Sequence, residues 1–542
     1  MSQEFKLKDI TSLSSLSPND KIEVEVEGVQ DGKVLLVNYD GKVHALTPNC
    51  SHYGAPLKNG VVGAEGRLTC PWHGACFNIS TGDVEDAPAL NALTKFELQE
   101  KNGAVYILGS EESIKSGHRN PVGKCSASSE EKVVVVGGGS GTISTLQVLR
   151  SQKYPGTITS ISKEPIPIDR TKLSKALIPD ESKIALRPEQ WFADAGITTL
   201  VDEVTSVNLE SKSVSTKSGK NIPYTKLVLA TGGIPRRLPL PGFDLGNVFT
   251  LRSVVNVQDI LSALEKKQKP KVVVIGSSFI GMEVGLALKG KEYDVTIVGM
   301  EDVPMERVMG AKVGRILQGN LEKSGVVFKL GASVDKATAS EGGKDVGAVH
   351  LKDGTVLPAD VVVLGVGVRP ATDYLKDSGF TLEKDGSLAT DEHFLVQGHD
   401  DVFAIGDIAT YPYAGPGGEG KPVRIEHWNV AQNMGRRVGK AIAQAQRGDV
   451  KSVRVKQFIP VFWSALGGQM RYCGNTVNGF DDVVLNQPEG GKFTAFYTKG
   501  DTVIAVATMG MDPVMVKCAE LMRQGKMVGK KDVQGGVDVL KI

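Results

Sequence analysis

The spacing of apolar residues changes along the chain and separates it into regions of different architecture. From residue 3 to about residue 109, apolar positions form short alternating runs, which are separated by turn-forming pairs such as Asp31-Gly32 and Asp40-Gly41. Short alternating runs between turn residues are typical of a small all-β domain. The runs that predict strands are Ile22–Glu27, Val34–Asn38, Val61–Val62 and Val105–Leu108.

The pattern changes twice after this region. Residues 110–131 are polar and serine-rich without a regular apolar period, which predicts a linker. From Lys132, buried-type strands run directly into glycines and then into helical periodicity, first at Val133–Val136 and again at Val272–Ile275. Two strand–glycine–helix units predict two dinucleotide-binding folds of the α/β class.

Strand-like segments return after residue 450 and indicate an α+β domain in the C-terminal part of the chain. The predicted strands are Phe458–Trp463, Val483–Leu485, Phe493–Tyr497 and Thr502–Thr508, and the predicted helix is Val514–Arg523. We therefore expect a multidomain protein, with an all-β domain at 3–109, a linker at 110–131, a first dinucleotide unit in two parts at 132–254 and 373–449, a second unit at 255–372, and an α+β domain at 450–542.

Composition narrows the class of protein. The chain has 542 residues, 41% of them apolar, which suits several packed domains and excludes a disordered protein. The formal net charge is +1 and there is no long basic run, so no nucleic-acid partner is expected. No apolar stretch approaches the length of a transmembrane helix. The first residues resemble neither a signal nor a transit peptide, so a cytoplasmic location is expected and a mitochondrial one is left open.

Two short motifs predict an iron–sulfur centre. Cys50-Ser-His52 and Cys70-Pro-Trp-His73 each place a cysteine before a histidine in a loop with its own turn former. Two thiolates on one iron and two neutral imidazoles on the other are the ligands of a Rieske [2Fe–2S] cluster. The alternatives are a zinc site and scattered core residues. A zinc finger usually pairs its cysteines with each other and its histidines with each other, so the Rieske interpretation is favoured.

The surroundings of these motifs bear on the reduction potential. High-potential respiratory Rieske proteins carry an extra cysteine in each loop and a serine that donates to a sulfide, and Ala55, Trp72 and Ala75 stand at the matching positions here. Fewer hydrogen bonds to the cluster predict a potential at the low end of the Rieske range, about −150 mV.

The first glycine turn contains Gly137 and Gly139, followed by Thr142 where a third glycine is usual. Such a turn lets backbone N–H groups and a helix N-terminus meet a pyrophosphate. Later segments support the same site: a strand ends at Thr231-Gly232, a buried strand is followed by Asp407, and cations are supplied by Arg170 and Lys175.

The second glycine turn contains Gly276 and Gly281, with Ser278 where the middle glycine is usual. An acid for the adenosine ribose is expected near residue 299, where Gly299 stands with Glu301 two residues later. The unit is closed by a strand that runs through Gly367.

From Lys132 onward the chain resembles the two-dinucleotide-binding flavoprotein reductases, especially the ferredoxin reductases of oxygenase systems and apoptosis-inducing factor. Together with the Rieske motifs, nearly the whole chain resembles the Rieske-containing apoptosis-inducing-factor-like family. The stretches that carry this resemblance are Arg67–Asp83, Asp169–Lys175, Ala230–Gly233, Phe279–Glu283 and Ala404–Asp407.

The resemblance implies FAD, a [2Fe–2S] cluster and NADH or NADPH as cofactors. FAD would lie at 132–254 and 373–449 and NAD(P)H at 255–372. Lys175 and Glu283 would be catalytic residues near flavin N5, and Asp407 would bind the ribityl chain. The remaining cofactor-binding positions that it implies include Ile280, Trp428 and Trp463. The family pattern is not matched at Thr142, Ser278 and Gly299, nor at Lys163-Glu164, where the acid for the FAD ribose is expected.

These features predict electron flow from NAD(P)H through FAD to the Rieske cluster and on to an unknown acceptor, which could be a protein. In one rival hypothesis, the flavin reduces quinone or oxygen directly and the Rieske domain senses redox state. In another, the protein is an apoptotic effector that binds DNA, which the balanced charge disfavours. A homodimer is also a hypothesis. NADH is expected to be preferred to NADPH because Glu301 and Asp302 are acidic. The nearest arginine, Arg307, is several residues further on and is not one of a pair of arginines that could hold a 2′-phosphate.

Overall fold

The structure is a computed structural model and describes residues 3–122, 125–445, 448–454, 457–488 and 491–542. The N-terminal part is built almost entirely of short strands. A six-stranded antiparallel sheet has the order β1-β11-β10-β4-β3-β2, and a four-stranded antiparallel sheet has the order β5-β6-β7-β8. The elements are β1 Gln3–Lys6, β2 Lys21–Glu25, β3 Lys33–Tyr39, β4 Lys42–Leu46, β5 Val61–Gly63, β6 Arg67–Thr69, β7 Cys76–Asn78, β8 Val84–Asp86, β9 Ala92–Leu93, β10 Lys95–Lys101 and β11 Ala104–Gly109.

The segment predicted to be a linker, 110–131, is partly folded. Helix α1 covers Glu111–Ser116 and is capped by Ser110, and strand β12 at His118–Arg119 pairs with β9. Its serines therefore serve in part as helix caps, a role that a lack of apolar period does not reveal. Through this β9–β12 pairing, the segment stays in contact with the β domain before the next domain begins.

The first dinucleotide unit has a five-stranded parallel sheet in the order β15-β14-β13-β19-β31. Its last strand comes from a much later part of the chain, as the predicted division into two parts requires. The elements before the crossing are β13 Lys132–Val136, α2 Ser140–Ser151, β14 Thr157–Ser162, α3 Thr171–Ala176, α4 Glu189–Asp194, β15 Ile197–Val201, β16 Val204–Asn208, β17 Ser213–Thr216, β18 Asn221–Pro223, β19 Lys226–Leu229 and β20 Gly233–Pro235.

The second unit repeats this plan with a parallel sheet in the order β21-β28-β22-β23-β24. Because β21 pairs with β28, the first unit ends before β21 and not at residue 254 as predicted. The elements are β21 Val248–Thr250, α5 Val254–Glu265, β22 Lys271–Ile275, α6 Phe279–Lys289, β23 Asp294–Val298, α7 Glu306–Lys323, β24 Val327–Lys329, β25 Val334–Ala339, β26 Val346–Leu351, β27 Val356–Pro358, β28 Val361–Leu364 and β29 Val368–Pro370.

The chain then re-enters the first unit and ends in an antiparallel sheet with the order β34-β35-β38-β37-β36. The strand predicted at Phe458–Trp463 begins later, at Val461, because Pro460 has no N–H to donate. The elements are β30 Leu388–Ala389, β31 Val402–Ala404, β32 Ala409–Pro412, β33 Pro422–Val423, α8 Trp428–Ala445, β34 Val461–Ala465, β35 Gln469–Gly474, β36 Asp482–Asn486, β37 Phe493–Lys499, β38 Thr502–Met509, α9 Val514–Arg523 and α10 Lys530–Gln534.

The N-terminal β domain packs against α8 through buried polar contacts. The side chain of Asn433 accepts from the amide of Ala87 at 2.9 Å, and that of Asn429 donates to the Ala87 carbonyl at 2.9 Å. Asp86 also pairs with Arg437 at 3.3 Å. Burial alone would raise the pKa of Asp86, but the neighbouring guanidinium groups hold it at about 2, so this carboxylate is charged at neutral pH.

A second contact joins the β domain to the C-terminal domain. The Glu520 carboxylate on α9 accepts from the amide of Ala64 at 3.1 Å and lies 3.7 Å from the guanidinium of Arg67. Val61 packs into the apolar core of the C-terminal domain beside Val461. The β domain is therefore held on two sides of the reductase part. None of the helices in the described ranges is long and apolar enough to cross a membrane.

Candidate redox active site

The two motif loops fold in the same way. In both, the cysteine amide donates to the carbonyl five residues later, at 2.9 Å in loop 50–55 and 2.8 Å in loop 70–75. The glycine amide four residues later donates back to the cysteine carbonyl, at 2.9 and 3.2 Å. These glycines, Gly54 and Gly74, have φ angles of 76° and 74°, a region that L residues with side chains rarely adopt. Each Cys–His motif therefore folds as a tight turn with its own glycine.

The loops sort the four ligands by chemical type. The two Nδ1 atoms of His52 and His73 lie 3.1 Å apart, while the thiols of Cys50 and Cys70 are buried and within hydrogen-bonding distance of each other. The two histidines therefore lie side by side, and so do the two cysteines, although each loop supplies one histidine and one cysteine. This arrangement fits a two-iron centre with thiolates on one iron and imidazoles on the other.

The same geometry argues against a single zinc ion. Four ligands around one tetrahedral ion would bring their donor atoms within about 4 Å of one another. Among the described residues, only Asp391, Glu392 and His393 form a group of three possible ligands whose atoms all lie within 4.8 Å of one another. No three of the four loop ligands therefore surround a single point.

The histidines are neutral, as metal ligands must be. Burial is the main reason that the pKa of His52 is lowered to about 4 and that of His73 to about 2. For His73 the neighbouring cations Arg471 and Lys175 lower the pKa further. Both rings are thus ready to bind iron without losing a proton at neutral pH.

Trp463 on β34 lies between this centre and a cavity of the reductase part. Its ring centroid lies 4.6 Å from that of His73 and 5.6 Å from that of His52. The same side chain lines a cavity of about 520 Å³ between the two dinucleotide units. A single aromatic side chain therefore touches both the histidine ligands and the cavity.

Most of the predicted cofactor-binding residues line this cavity. They are Gly139, Arg170, Lys175, Gly232, Ile280, Glu283, Gly367, Asp407, Trp428 and Trp463. The others lie behind its wall or farther out, and they are Gly137, Thr231, Gly276, Gly281 and Glu301. The hydroxyl of Thr231 donates to the carbonyl of Ala371 at 2.8 Å, so this side chain joins two loops.

The glycine turns have the shape that a pyrophosphate needs. Gly137 and Gly276 have φ angles of 126° and 112°, and a Cβ on them would lie 2.1 and 2.3 Å from a backbone oxygen. A Cβ on Gly139, the residue before α2, would meet no atom within 4 Å, so the space in front of that helix is open. This cradle fits a dinucleotide at the helix N-terminus.

Lys175 and Glu283 meet across the cavity. The Lys175 Nζ lies 2.9 Å from Glu283 Oε1, and the glutamate is only 2% exposed. The hydroxyls of Ser174 and Ser464 each donate to this carboxylate at 2.5 Å. A buried carboxylate with one ammonium and two hydroxyl donors is fully satisfied and holds the lysine in place.

Asp407 lies three residues after β31, in a single 3-10 turn at Gly406–Ile408. Its Oδ2 accepts from Arg252 at 3.2 Å and lies close to Gly233. The imidazole of His427 packs against Phe462, with ring centroids 5.1 Å apart. Burial lowers the pKa of His427 to about 4. An acid and a set of flat rings therefore share one end of the cavity.

The acids of the adenosine regions are both paired. Glu301 accepts from the Nε of Arg307 at 2.6 Å and from the amide of Glu306 at 3.0 Å. A helix start at residue 306 turns this arginine back toward the acid. In the first unit, Glu164 forms an equivalent ion pair with Arg170. Glu164 also lies beside its glycine turn, since a Cβ on Gly138 would lie 4.0 Å from its Oε2.

Three contributors to the site were not predicted. Ser464 donates to Glu283, Arg471 lies opposite Trp463 in the β34–β35 pair, and Tyr53 stacks on His52 with centroids 3.8 Å apart. Ser464 and Tyr53 directly follow predicted site residues, which is a weak signal. Nothing in the sequence points to Arg471, because its strand pairing alone brings it to the site.

Comparison with known proteins agrees with this site. Residues 131–435 match the pyridine nucleotide-disulphide oxidoreductase family, and residues 7–97 match the Rieske [2Fe–2S] domain. Apoptosis-inducing factor 3 from Mus musculus is 38% identical over 96% of this chain and 87% of its own length. Rhodocoxin reductase from Rhodococcus erythropolis is 32% identical over 70% of this chain and 86% of its own length.

Solved structures give the same result for the reductase part. The ferredoxin reductase of the CYP199A2 system from Rhodopseudomonas palustris has a TM-score of 0.69 and is 28% identical, covering 76% of this chain and 99% of its own. The predicted fold class and cofactors are confirmed. The chain belongs to the pyridine nucleotide-disulphide oxidoreductase family with a Rieske [2Fe–2S] domain joined on its N-terminal side, and it is an NAD(P)H-dependent oxidoreductase with FAD and a [2Fe–2S] cluster as cofactors.

Proposed function

We propose that electrons from NAD(P)H reach the Rieske centre inside one polypeptide, at the contact of Trp463 with His73, and leave to a separate one-electron acceptor. The observation that carries this proposal is that Trp463 lines the cofactor cavity and lies 4.6 Å from a cluster ligand. Bound FAD supplies the conversion of a hydride into single electrons, which the [2Fe–2S] cluster can accept one at a time.

Each residue of the contact has a defined task in this proposal. Trp463 fills the space between the cavity and the histidines, which excludes water and keeps the two redox sites a side chain apart. The Asn429 and Asn433 contacts with Ala87 hold the β domain against α8, so the distance is fixed. If the flavin reduced quinone or oxygen directly, the packing of Trp463 against the histidine ligands would have no function in electron transfer.

Lys175 and Glu283 are proposed to act on the NAD(P)H side. The ammonium of Lys175 lines the cavity with its carboxylate partner buried behind it, so its charge is oriented before any substrate arrives. A fixed positive charge stabilises negative charge that develops during hydride transfer. Asp407 and Trp428 are proposed to hold the ribityl and ring portions of FAD.

Electrons are proposed to leave the cluster at Tyr53. This side chain is 39% exposed and is the one aromatic among the large exposed apolar residues of the described ranges. Its ring is nearly parallel to that of His52, at an angle of 14°. An acceptor that touches this ring would be one residue away from a cluster ligand. A protein as acceptor, a homodimer and the cytoplasmic location stay predictions from the sequence.

The experiment is an anaerobic reaction of the full-length protein with NADH. We expect flavin and cluster to be reduced in turn, with the cluster followed by its Rieske-type EPR signal. Cys70→Ser should remove that signal and leave flavin reduction largely intact. Trp463→Leu should slow cluster reduction at least ~10-fold, and Trp463→Phe should recover part of the rate. A cluster that NADH never reduces in the intact protein would reject the proposal.

The exit at Tyr53 has its own test. Tyr53→Leu should slow the oxidation of the reduced cluster by an external acceptor, chosen from a screen of cytochromes, ferredoxins, quinones and oxygen. It should leave reduction by NADH unchanged. Tyr53→Phe keeps the ring but loses the hydrogen bond to Asp169, and should react like the wild type. Equal oxidation rates in all three proteins would place the exit elsewhere.

A further inference from the structure

Arg471 is a buried cation that the reductase contributes to the Rieske site. Its residue is 3% exposed, and its Cα lies directly opposite Trp463 in the β34–β35 pair. Opposite residues of an antiparallel pair project from the same face of the sheet. Arg471 and Trp463 therefore share one face, and on that face Trp463 packs against His73.

The guanidinium is incompletely paired. Its Nη1 donates to two neutral acceptors, the Gln469 side chain at 3.1 Å and the Met470 carbonyl at 3.4 Å. Within the described residues its buried Nε has no hydrogen-bond partner. The nearest acid, Asp512, is 3.8 Å from that Nε and is one-third exposed, so it offsets the charge only in part. A buried charge with this little compensation is costly unless another negative charge lies nearby.

The other cations beside the cluster loops are matched by acids. Lys175 lies 2.9 Å from Glu283, and Lys172 lies 4.0 Å from Asp169. Both carboxylates are almost fully buried, so each ion pair contributes little net charge to the loops. Arg471, on the sheet face where Trp463 packs against His73, is thus less fully paired than either lysine.

We propose that Arg471 raises the reduction potential of the Rieske cluster by stabilising its reduced state, so that docking on the reductase makes the cluster a better acceptor. This inference rests on the proposed function. A cluster with two thiolates and two neutral imidazoles is neutral when oxidised and gains one negative charge with one electron, and no bond forms or breaks. The added charge is the counter-charge that the buried guanidinium otherwise lacks.

The proposed rise in reduction potential is opposite to the low potential that the loop sequences alone predict. Ala55, Trp72 and Ala75 offer few hydrogen-bond donors to the cluster and predict a low potential. A cation from β35 compensates from outside the Rieske domain. The potential would then depend on the domain interface as well as on the loop sequence.

The test is an equilibrium redox titration of the cluster in the full-length protein, with dithionite and mediators and the EPR signal as readout. Arg471→Gln should shift the equilibrium at least ~10-fold toward the oxidised cluster, which is about 59 mV for a one-electron couple. Arg471→Lys keeps the charge and should stay within about threefold of the wild type. Arg150→Gln removes another buried guanidinium, far from the cluster, and is the matched control for structural damage.

Removing the acid beside Arg471 tests the direction of the effect on the reduction potential. Asp512→Asn removes the partly exposed acid beside Arg471 and should shift the equilibrium toward the reduced cluster. If Arg471→Gln does not hold a cluster, this variant decides the proposal by itself. An unchanged potential in Asp512→Asn, or in a loaded Arg471→Gln, would overturn it. Since NADH takes no part in the titration, the outcome is independent of whether NADH reduces the cluster.

Discussion

The two dinucleotide-binding units fill the same small space in opposite ways. Val136 pairs with Ile161 and Ile275 pairs with Val298, so the residues that follow these strands are equivalent. In the first unit a Cβ on Gly138 would lie 2.2 Å from the Ser162 hydroxyl. In the second unit, a Cβ on Gly299 would lie 2.3 Å from the hydroxyl of Ser277, so the serine and the glycine have changed places. The space admits one side chain, and either strand can supply it.

This exchange explains why the acid expected near residue 299 is absent. Ser277 already occupies the space next to that position, and the acid stands two residues later, as Glu301. Glu164 has the same offset from its strand in the first unit. Gly299 departs from the family pattern when it is considered alone, but the side chain of Ser277 on the neighbouring turn fills the space beside it.

The units differ in how they enclose the adenosine end. Arg170 is mostly buried and also donates to the carbonyl of Arg252 at 2.6 Å, whereas Arg307 is 76% exposed and touches Glu301 at the surface. An enclosed ion pair suits a cofactor that stays bound, and an exposed one suits a substrate that exchanges. We propose that resident FAD and exchanging NAD(P)H account for the different solvent exposure of these two equivalent arginines.

The largest expected effect comes from breaking the serine–glycine exchange. Gly138→Ser would place two side chains in a space for one, so the protein should lose most of its bound FAD, with affinity reduced ~10-fold or more because overpacking costs about 1–3 kcal/mol. The double variant Gly138→Ser/Ser162→Gly copies the second unit and should recover the flavin. FAD content by absorbance measures both. A single variant with normal flavin would show that the space is not limiting.

The third glycine position should respond differently in the two units. A Cβ on Gly281 would lie 1.9 Å from the Gly276 carbonyl, so Gly281→Ala should slow flavin reduction by NADH at least ~10-fold. Thr142, at the matching place, donates its hydroxyl to the Gly137 carbonyl at 2.9 Å, and Thr142→Ala should cost about 1 kcal/mol of stability with FAD retained. Stopped-flow rates and thermal unfolding distinguish these outcomes. Equal losses in both variants would contradict the comparison.

The ion pair that joins the units should matter for hydride transfer. Lys175 comes from the first unit and Glu283 from the second, so Lys175→Ala should slow flavin reduction at least ~10-fold, or ~1.4 kcal/mol. Lys172→Ala, on the same short helix but outside the cavity lining, is the control. Rapid-mixing kinetics under anaerobic conditions gives both rates. Normal reduction in Lys175→Ala with full FAD content would make the pair purely structural.

The smallest expected effect concerns nucleotide preference. We expect a higher kcat/KM for NADH than for NADPH, because Glu301 repels a 2′-phosphate. Glu301→Ala should narrow that advantage and free Arg307, whereas Arg307→Ala should widen it by a few-fold, since an exposed pair contributes about 0–1 kcal/mol. Steady-state kinetics with both nucleotides measures the ratio. A preference for NADPH in the wild type would overturn this prediction.

The sequence by itself determined the features that depend on neighbours along the chain. The ligand motifs at Cys50–His52 and Cys70–His73 and the turns at Gly137 and Gly276 could be predicted, because each needs a fixed residue type at a fixed short spacing. The order of the domains followed from the change in apolar period. The helix at Val514–Arg523 was predicted to the residue because its apolar period stops at both ends.

Only the tertiary structure decided how these parts meet. Trp463 contacts His73, and Ser464 donates to Glu283. Partners in such contacts are separated by hundreds of residues, and no local pattern records which loop a strand of the C-terminal domain will pack against. The Ser277–Gly299 exchange was hidden for the same reason, since Gly299 looks like a departure until the pairing of two parallel strands places it beside Ser277.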